Sequence, residues 1–306
     1  MFFGYGNKAG FASYSLMFLP FYFLMYMVIS FFLIDSIPYF IDYEAYDKIV
    51  AGGWAWKKYI TEPVSASFLM LLGYFSLGAF ELYISTWFFA FLISLVVLYK
   101  KGVSFFSLYL YLILNPVSLI LLQFSRQYIA YLFFLIAILF YENKIRSLFV
   151  LALSFLSHTA SAAFSGMAFY LIGSRFFHFL IVVLVSFFAF YLLSVFYFSE
   201  HTVHEVDKGR GRVAIVVLNF IFFILLSVKR KKIVLSFSLL CLFFLYSFII
   251  TPQAGRFAPY FIVFLALYGF SSFRALSNIF VINLFFICNI IFSFYMVWSG
   301  QYGFGP

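Results

Sequence analysis

Long apolar runs separated by short polar clusters make up nearly the whole chain. The runs are continuous and do not alternate apolar with polar residues, which excludes the strand pattern of a membrane β-barrel. A spanning helix needs about 20 mostly apolar residues. After loops are subtracted, the 306 residues leave room for about ten to twelve such helices. The runs predict helices over residues 14–34, 103–122, 128–141, 147–160, 177–198, 213–228, 233–250, 257–273 and 279–298. The first run lacks a small-residue cleavage site, so it reads as a retained helix rather than a signal peptide. Between 63 and 99 the chain must cross an odd number of times, yet Glu81 interrupts it. One full crossing plus a re-entrant or surface-lying piece fits, since irregular backbone is tolerated where protein buries it. The expectation is a single all-α polytopic domain over 1–306, with external loops about 35–63 and 199–212.

Composition agrees with the pattern: 66% of residues are hydrophobic and 9% charged. The charges carry the orientation. Purely basic clusters (Lys100 and Lys101; Lys229, Arg230, Lys231 and Lys232) alternate with mixed ones (35–62 and 200–212). With the N-terminus inside, the inner face holds eleven bases and one acid, Glu142, while the outer face holds eight bases and eight acids. That is the asymmetry of the positive-inside rule. It accounts for the net charge of +9 without a nucleic-acid partner. Cys241 and Cys288 fall inside apolar runs and read as packed thiols.

Threaded this way, isolated ionisable residues gather on the outer face. Asp42 and Glu62 flank the first external loop, Arg126 and His158 sit at helix mouths, Arg210 and Arg212 close the second loop, and Arg256 begins a helix. Each has an ordinary explanation, such as an arginine snorkelling to the interface. Convergence on one side is harder to explain so, because charges near hydrocarbon are costly and mark a pathway or site. Arginine forks suit phosphate oxygens. With two carboxylates and a histidine nearby, the set suits a lipid diphosphate joined to a sugar. The arginines would stabilise the departing diphosphate, and a carboxylate or His158 would take the proton of an attacking hydroxyl.

Other features carry less. His201, His204 and Glu205 have metal-like spacing but match neither zinc-protease arrangement and lie in a polar loop. No metal or cofactor is expected. Trp54, Trp56 and Tyr59 read as interfacial anchors, with sugar stacking the alternative. No phosphate loop of the Gly-x-x-x-x-Gly-Lys type is present, so nucleotide hydrolysis is not expected.

The order Asp42-x-x-x-Tyr46, Glu62-Pro63, Arg126-Gln127-x-x-Ala130, His158-Thr159-Ala160 and Arg256-x-x-x-Tyr260-Phe261 resembles the EpsG branch of Wzy-type polysaccharide polymerases over roughly residues 35–265. The resemblance implies a metal-independent glycosyltransferase of GT-C-like fold in the bacterial inner membrane. Such an enzyme polymerises undecaprenyl-diphosphate-linked repeat units of O-antigen, capsule or exopolysaccharide at the periplasmic face. Arg126, Glu62, Asp42 and His158 would be catalytic. Arg256, Arg210, Arg212, Gln127, Tyr46 and Tyr260 would bind diphosphate or sugar. A Wzz-type chain-length regulator is the implied partner. Two departures stand: no arginine lies between Ile34 and Ile41, and one helix rather than two precedes Asp42. The competing classes are a flippase of lipid-linked oligosaccharide and a GT-C transferase using a polyprenyl-phosphate sugar.

Overall fold

A computed structural model describes residues 8–52, 62–139, 144–158, 210–227, 258–272 and 276–301, with isolated positions at 234, 238, 241, 242, 245 and 304. Among these residues the chain is helical throughout, without strands. The elements are α1 (Lys8–Ser36), a 3-10 turn (Ile37–Tyr39), α2 (Tyr43–Gly52), α3 (Pro63–Tyr74), α4 (Ala79–Lys101), α5 (Val103–Leu114), α6 (Pro116–Leu122), α7 (Ser125–Leu139), α8 (Lys144–Ser157), α9 (Arg210–Ser227), α10 (Ala258–Ser272) and α11 (Leu276–Trp298). Among the described residues, three stretches are long and apolar enough to cross a membrane: Leu16–Tyr39, Ala79–Lys101 and Phe280–Trp298. A fourth joins them if the bent pair α5–α6 counts as one span.

The chain divides into two compact units. One, spanning Tyr5–Ser161 and Ala275–Pro306, holds α1 to α8 and α11. Here α1 packs on α5 and α11, α4 packs on α5 and α7, and α7 pairs with α8. The last pair is an antiparallel hairpin closed by two serines. Ser147 Oγ donates to the Ala137 carbonyl at 3.0 Å and Ser154 Oγ to the Ala130 carbonyl at 2.7 Å. Small hydroxyl side chains let helix backbones approach closely and satisfy polar groups that hydrocarbon cannot. Polar ties also link α1 to α11, where Tyr22 Oη donates to Asn283 Oδ1 at 3.0 Å. The second unit contains α9 and α10, which pack on each other through a core including Val216, Phe220 and Phe223 of α9 and Phe261 to Ala266 of α10.

Three local expectations change. The helix expected over 103–122 is broken, because Pro116 has no N–H to give and pushes Asn115 into an extended conformation. α5 and α6 meet at 60°, and the Asn115 side chain caps α6 by accepting from the Ser118 N–H at 3.0 Å. The external loop expected over 35–63 is largely helical where described: Asp35 belongs to α1, and 43–52 form α2. Its remainder at 53–61, like 199–209, lies outside the described residues. Between 63 and 99 there is one 23-residue helix, α4, preceded by the 12-residue α3. Glu81 does not interrupt α4 but starts it. Its carboxylate accepts from the Gly78 N–H at 2.7 Å, and Asp47 of α2 accepts from the Ala79 N–H at 3.3 Å. Two carboxylates thus satisfy amide groups at the positive end of the helix.

Gly73 allows α3 to lie against α2, since a Cβ there would stand 3.0 Å from the Val50 carbonyl oxygen. Gly102, at φ 85°, makes the corner from α4 into α5 in a conformation open to glycine.

Candidate functional site

From 106 to 132, every residue is buried except Arg126. This arginine is the second residue of α7, just past the tight connection at Gln123 and Phe124. Its side chain is about one-fifth exposed, so it is the one place where this sheathed segment reaches outward.

Three other segments gather around it. From α2, Tyr46 Oη accepts from both the Arg126 backbone N–H at 3.4 Å and its Nε–H at 3.3 Å. The guanidinium carbon lies 5.8 Å from the centre of the same ring. From the start of α3, Glu62 Oε2 pairs with Arg126 Nη1. From the end of α8, His158 Nε2 lies 3.6 Å from the other Glu62 oxygen. That distance exceeds a hydrogen bond and is the reach of an ion pair when the imidazole is protonated.

Local sequence explains each placement. Glu62 precedes Pro63, which is preorganised for the first helical position and disfavours helical backbone before it. Glu62 therefore stands as the N-cap of α3, with its carbonyl accepting from the Ala66 N–H at 2.9 Å. Ser65, one turn on, donates to the Ser157 carbonyl at 2.5 Å. That bond fixes the backbone next to His158. Tyr46 is held in α2 by its N–H bond to the Asp42 carbonyl at 2.9 Å.

Glu62 is buried, at 6% exposure, so its charge needs the partners it has. It serves as a resident counter-ion to Arg126 and lies between that cation and His158. Arg126 spends Nε on Tyr46 and Nη1 on Glu62; its Nη2 has no hydrogen-bond partner among the described residues. Burial raises the pKa of Tyr46, opposed by the Arg126 charge and reinforced by Asp42. The phenol therefore stays neutral at ordinary pH and acts through hydrogen bonding. Among the described residues the cluster offers a cation with a donor nitrogen to spare, a carboxylate and an imidazole: parts for gripping an anion and moving a proton. No family model, curated protein or solved structure matches the chain.

Of the residues expected from sequence, the structure brings Arg126, Glu62, His158 and Tyr46 together. Asp42 lies at the turn before α2 and acts electrostatically on both Tyr46 and Arg126. Gln127 is buried beside Arg126 in the first turn of α7, and its Oε1 has no hydrogen-bond partner among the described residues. Tyr260 is buried in α10 of the second unit. Arg210 and Arg212 are helical residues at the start of α9, and their side chains lie outside the described residues. Arg256 lies outside them too, as do His201, His204 and Glu205. Among the described residues no group of three or more His, Cys, Asp or Glu could hold a metal ion. Sequence reasoning passed over Ser65 and Tyr83. Ser65 stands one turn after a singled-out carboxylate, a spacing that marks a shared face. Tyr83 is one of 24 tyrosines and carried no signal.

Proposed function

We propose that the chain is a polytopic GT-C-like glycosyltransferase of about ten to twelve helices that polymerises undecaprenyl-diphosphate-linked repeat units. The reaction would take place at the external face of the bacterial inner membrane. The observation that carries the proposal is the cluster of Tyr46, Glu62, Arg126 and His158, drawn from four segments around the one outward-reaching residue of a buried stretch.

In the proposed reaction an acceptor hydroxyl oxygen bonds to the anomeric carbon of the growing glycan. The bond from that carbon to the carrier diphosphate breaks, and the diphosphate departs with its electron pair. The Arg126 guanidinium stabilises the charge developing on the leaving group. The hydroxyl proton passes to Glu62 or Asp42, and His158 orients a phosphate or shares that proton. Energy comes from the leaving group, so no nucleotide is required.

Deletion of the gene followed by electrophoresis of surface polysaccharide tests this reading. A polymerase null leaves single repeat units and no ladder; a null lacking even single units would point to a flippase. Complementation with Arg126→Ala is expected to leave the ladder absent despite normal protein abundance. A restored ladder would overturn the site.

A further inference from the structure

The geometry assigns Tyr83 of α4 as a positioning residue that holds both halves of the Tyr46–Arg126 contact. Tyr83 is fully buried, so it offers nothing to a ligand directly. Its hydroxyl donates to the backbone carbonyl of Gln123 at 2.8 Å. That carbonyl lies three residues before Arg126, in the connection where the chain leaves α6 and enters α7. On the other side, the Tyr83 ring meets the Tyr46 ring edge-on at 6.0 Å and 75°. It also meets Phe40 edge-on at 5.0 Å and 83°, and stacks on Tyr43 at 6.4 Å and 16°. One side chain therefore fixes the backbone that delivers the guanidinium and the ring that receives it.

The frame behind Tyr83 is stiff. α4 runs 23 residues, and Tyr83 stands in its second turn, just after the amides tied to Glu81 and Asp47. Asp47 directly follows Tyr46, so α2 is fastened to the start of α4 at one residue and to Arg126 at the next. A shift of α4 by a few tenths of an ångström would be felt at Arg126 through both routes. Buried polar networks of this kind fix one arrangement when every member is satisfied.

Tyr131 separates positioning from simple core packing. It is equally buried, and its hydroxyl donates to the Leu112 carbonyl at 2.9 Å, a like bond within the same 103–139 segment. The test measures modification of Arg126 by phenylglyoxal in intact membranes, located by mass spectrometry of the peptide carrying it. Removing one buried hydrogen bond in Tyr83→Phe is expected to raise the modification rate about fivefold, while Tyr131→Phe keeps it within about twofold of the unmodified protein. Tyr46→Phe is expected to raise the rate as well, and the Tyr46→Phe, Tyr83→Phe double variant to add nothing beyond the larger single effect. Equal rates in Tyr83→Phe and the parent, or an equal rise in Tyr131→Phe, would overturn the assignment. So would additive effects in the double variant.

Should Tyr83→Phe fail to accumulate, Asp47→Ala decides. It removes the carboxylate that accepts from the Ala79 N–H at 3.3 Å, loosening the α2–α4 junction while leaving Tyr83 itself in place. It is expected to raise Arg126 reactivity, and an unchanged rate would overturn the assignment. As a positioning residue for glycan polymerisation Tyr83 rests on the proposed function; Arg126 reactivity does not. A polysaccharide ladder restored by Arg126→Ala would sink the polymerase site while leaving the reactivity result standing.

Discussion

Helix α1 and the segment 103–139 are both long apolar stretches, and their surroundings are opposite. α1 turns Leu16, Met17, Leu24, Met27 and Phe31 outward, each more than half exposed. The segment built from α5, α6 and α7 shows only Arg126 between 106 and 132. In water, hydropathy would separate the two, since exposed surface tends to be polar. In a bilayer lipid tails are as apolar as leucine, so inside and outside share one composition. What marks the inner segment is its break at Asn115 and Pro116 and a single emergent charge. Apolarity admits both stretches to the membrane; polar detail decides which one is built into the protein.

The sharpest way to break that contrast is at the charge. Glu62→Ala leaves the Arg126 guanidinium without its buried counter-ion and is expected to cost about 3 kcal/mol. Thermal unfolding in lipid nanodiscs measures it, with Glu62→Gln expected to cost less. Next come matched truncations. Leu132→Ala, in the fully buried part of α7, is expected to cost about 2–3 kcal/mol through the cavity it leaves. Leu24→Ala, 61% exposed on α1, should cost less than about 0.5 kcal/mol by the same assay. An equal cost at both positions would mean that α1 is covered by protein. Asn115→Ala removes the cap at the bend and is expected to cost about 1 kcal/mol; no loss would show that Pro116 alone holds the break.

The smallest effect concerns pH. Burial raises the pKa of Tyr46 in the folded chain above its unfolded value near 10. A raised acid binds its proton more tightly when folded, so its stabilisation is complete below about pH 10 and fades as pH climbs towards the folded value. Thermal midpoints of Tyr46→Phe should therefore decline less steeply above pH 10 than those of the parent, and identical slopes would contradict the burial.

How far the sequence revealed the molecule depends on how rare each residue is in its setting. Glu62, Arg126 and His158 stood out because a charge or imidazole beside an apolar run is costly and must have a reason. Tyr46 stood out only through the family resemblance. Tyr83 and Ser65 could not: hydroxyls in a tyrosine- and serine-bearing chain look alike until their acceptors are known, and those acceptors are backbone carbonyls 40 and 92 positions away. Pro116 was legible as a breaker, yet the apolar run continues across it and hid the bend. Glu81 was visible as an interruption, but its use as a helix start depends on Gly78 and on Asp47, 32 positions before the amide it caps.

The tie between Tyr22 and Asn283 has a consequence for how the protein is made. The two residues are 261 positions apart, and α11 also brings Phe286 flat against Tyr111 at 3.8 Å. α1 leaves the ribosome well before α11 does. Until the latter arrives, the Tyr22 hydroxyl must rest in the bilayer with borrowed partners, and the Tyr111 ring lacks its cover. Closure of the unit therefore waits on synthesis of α11. A chain halted before residue 276 would leave Tyr22 and Tyr111 without these partners.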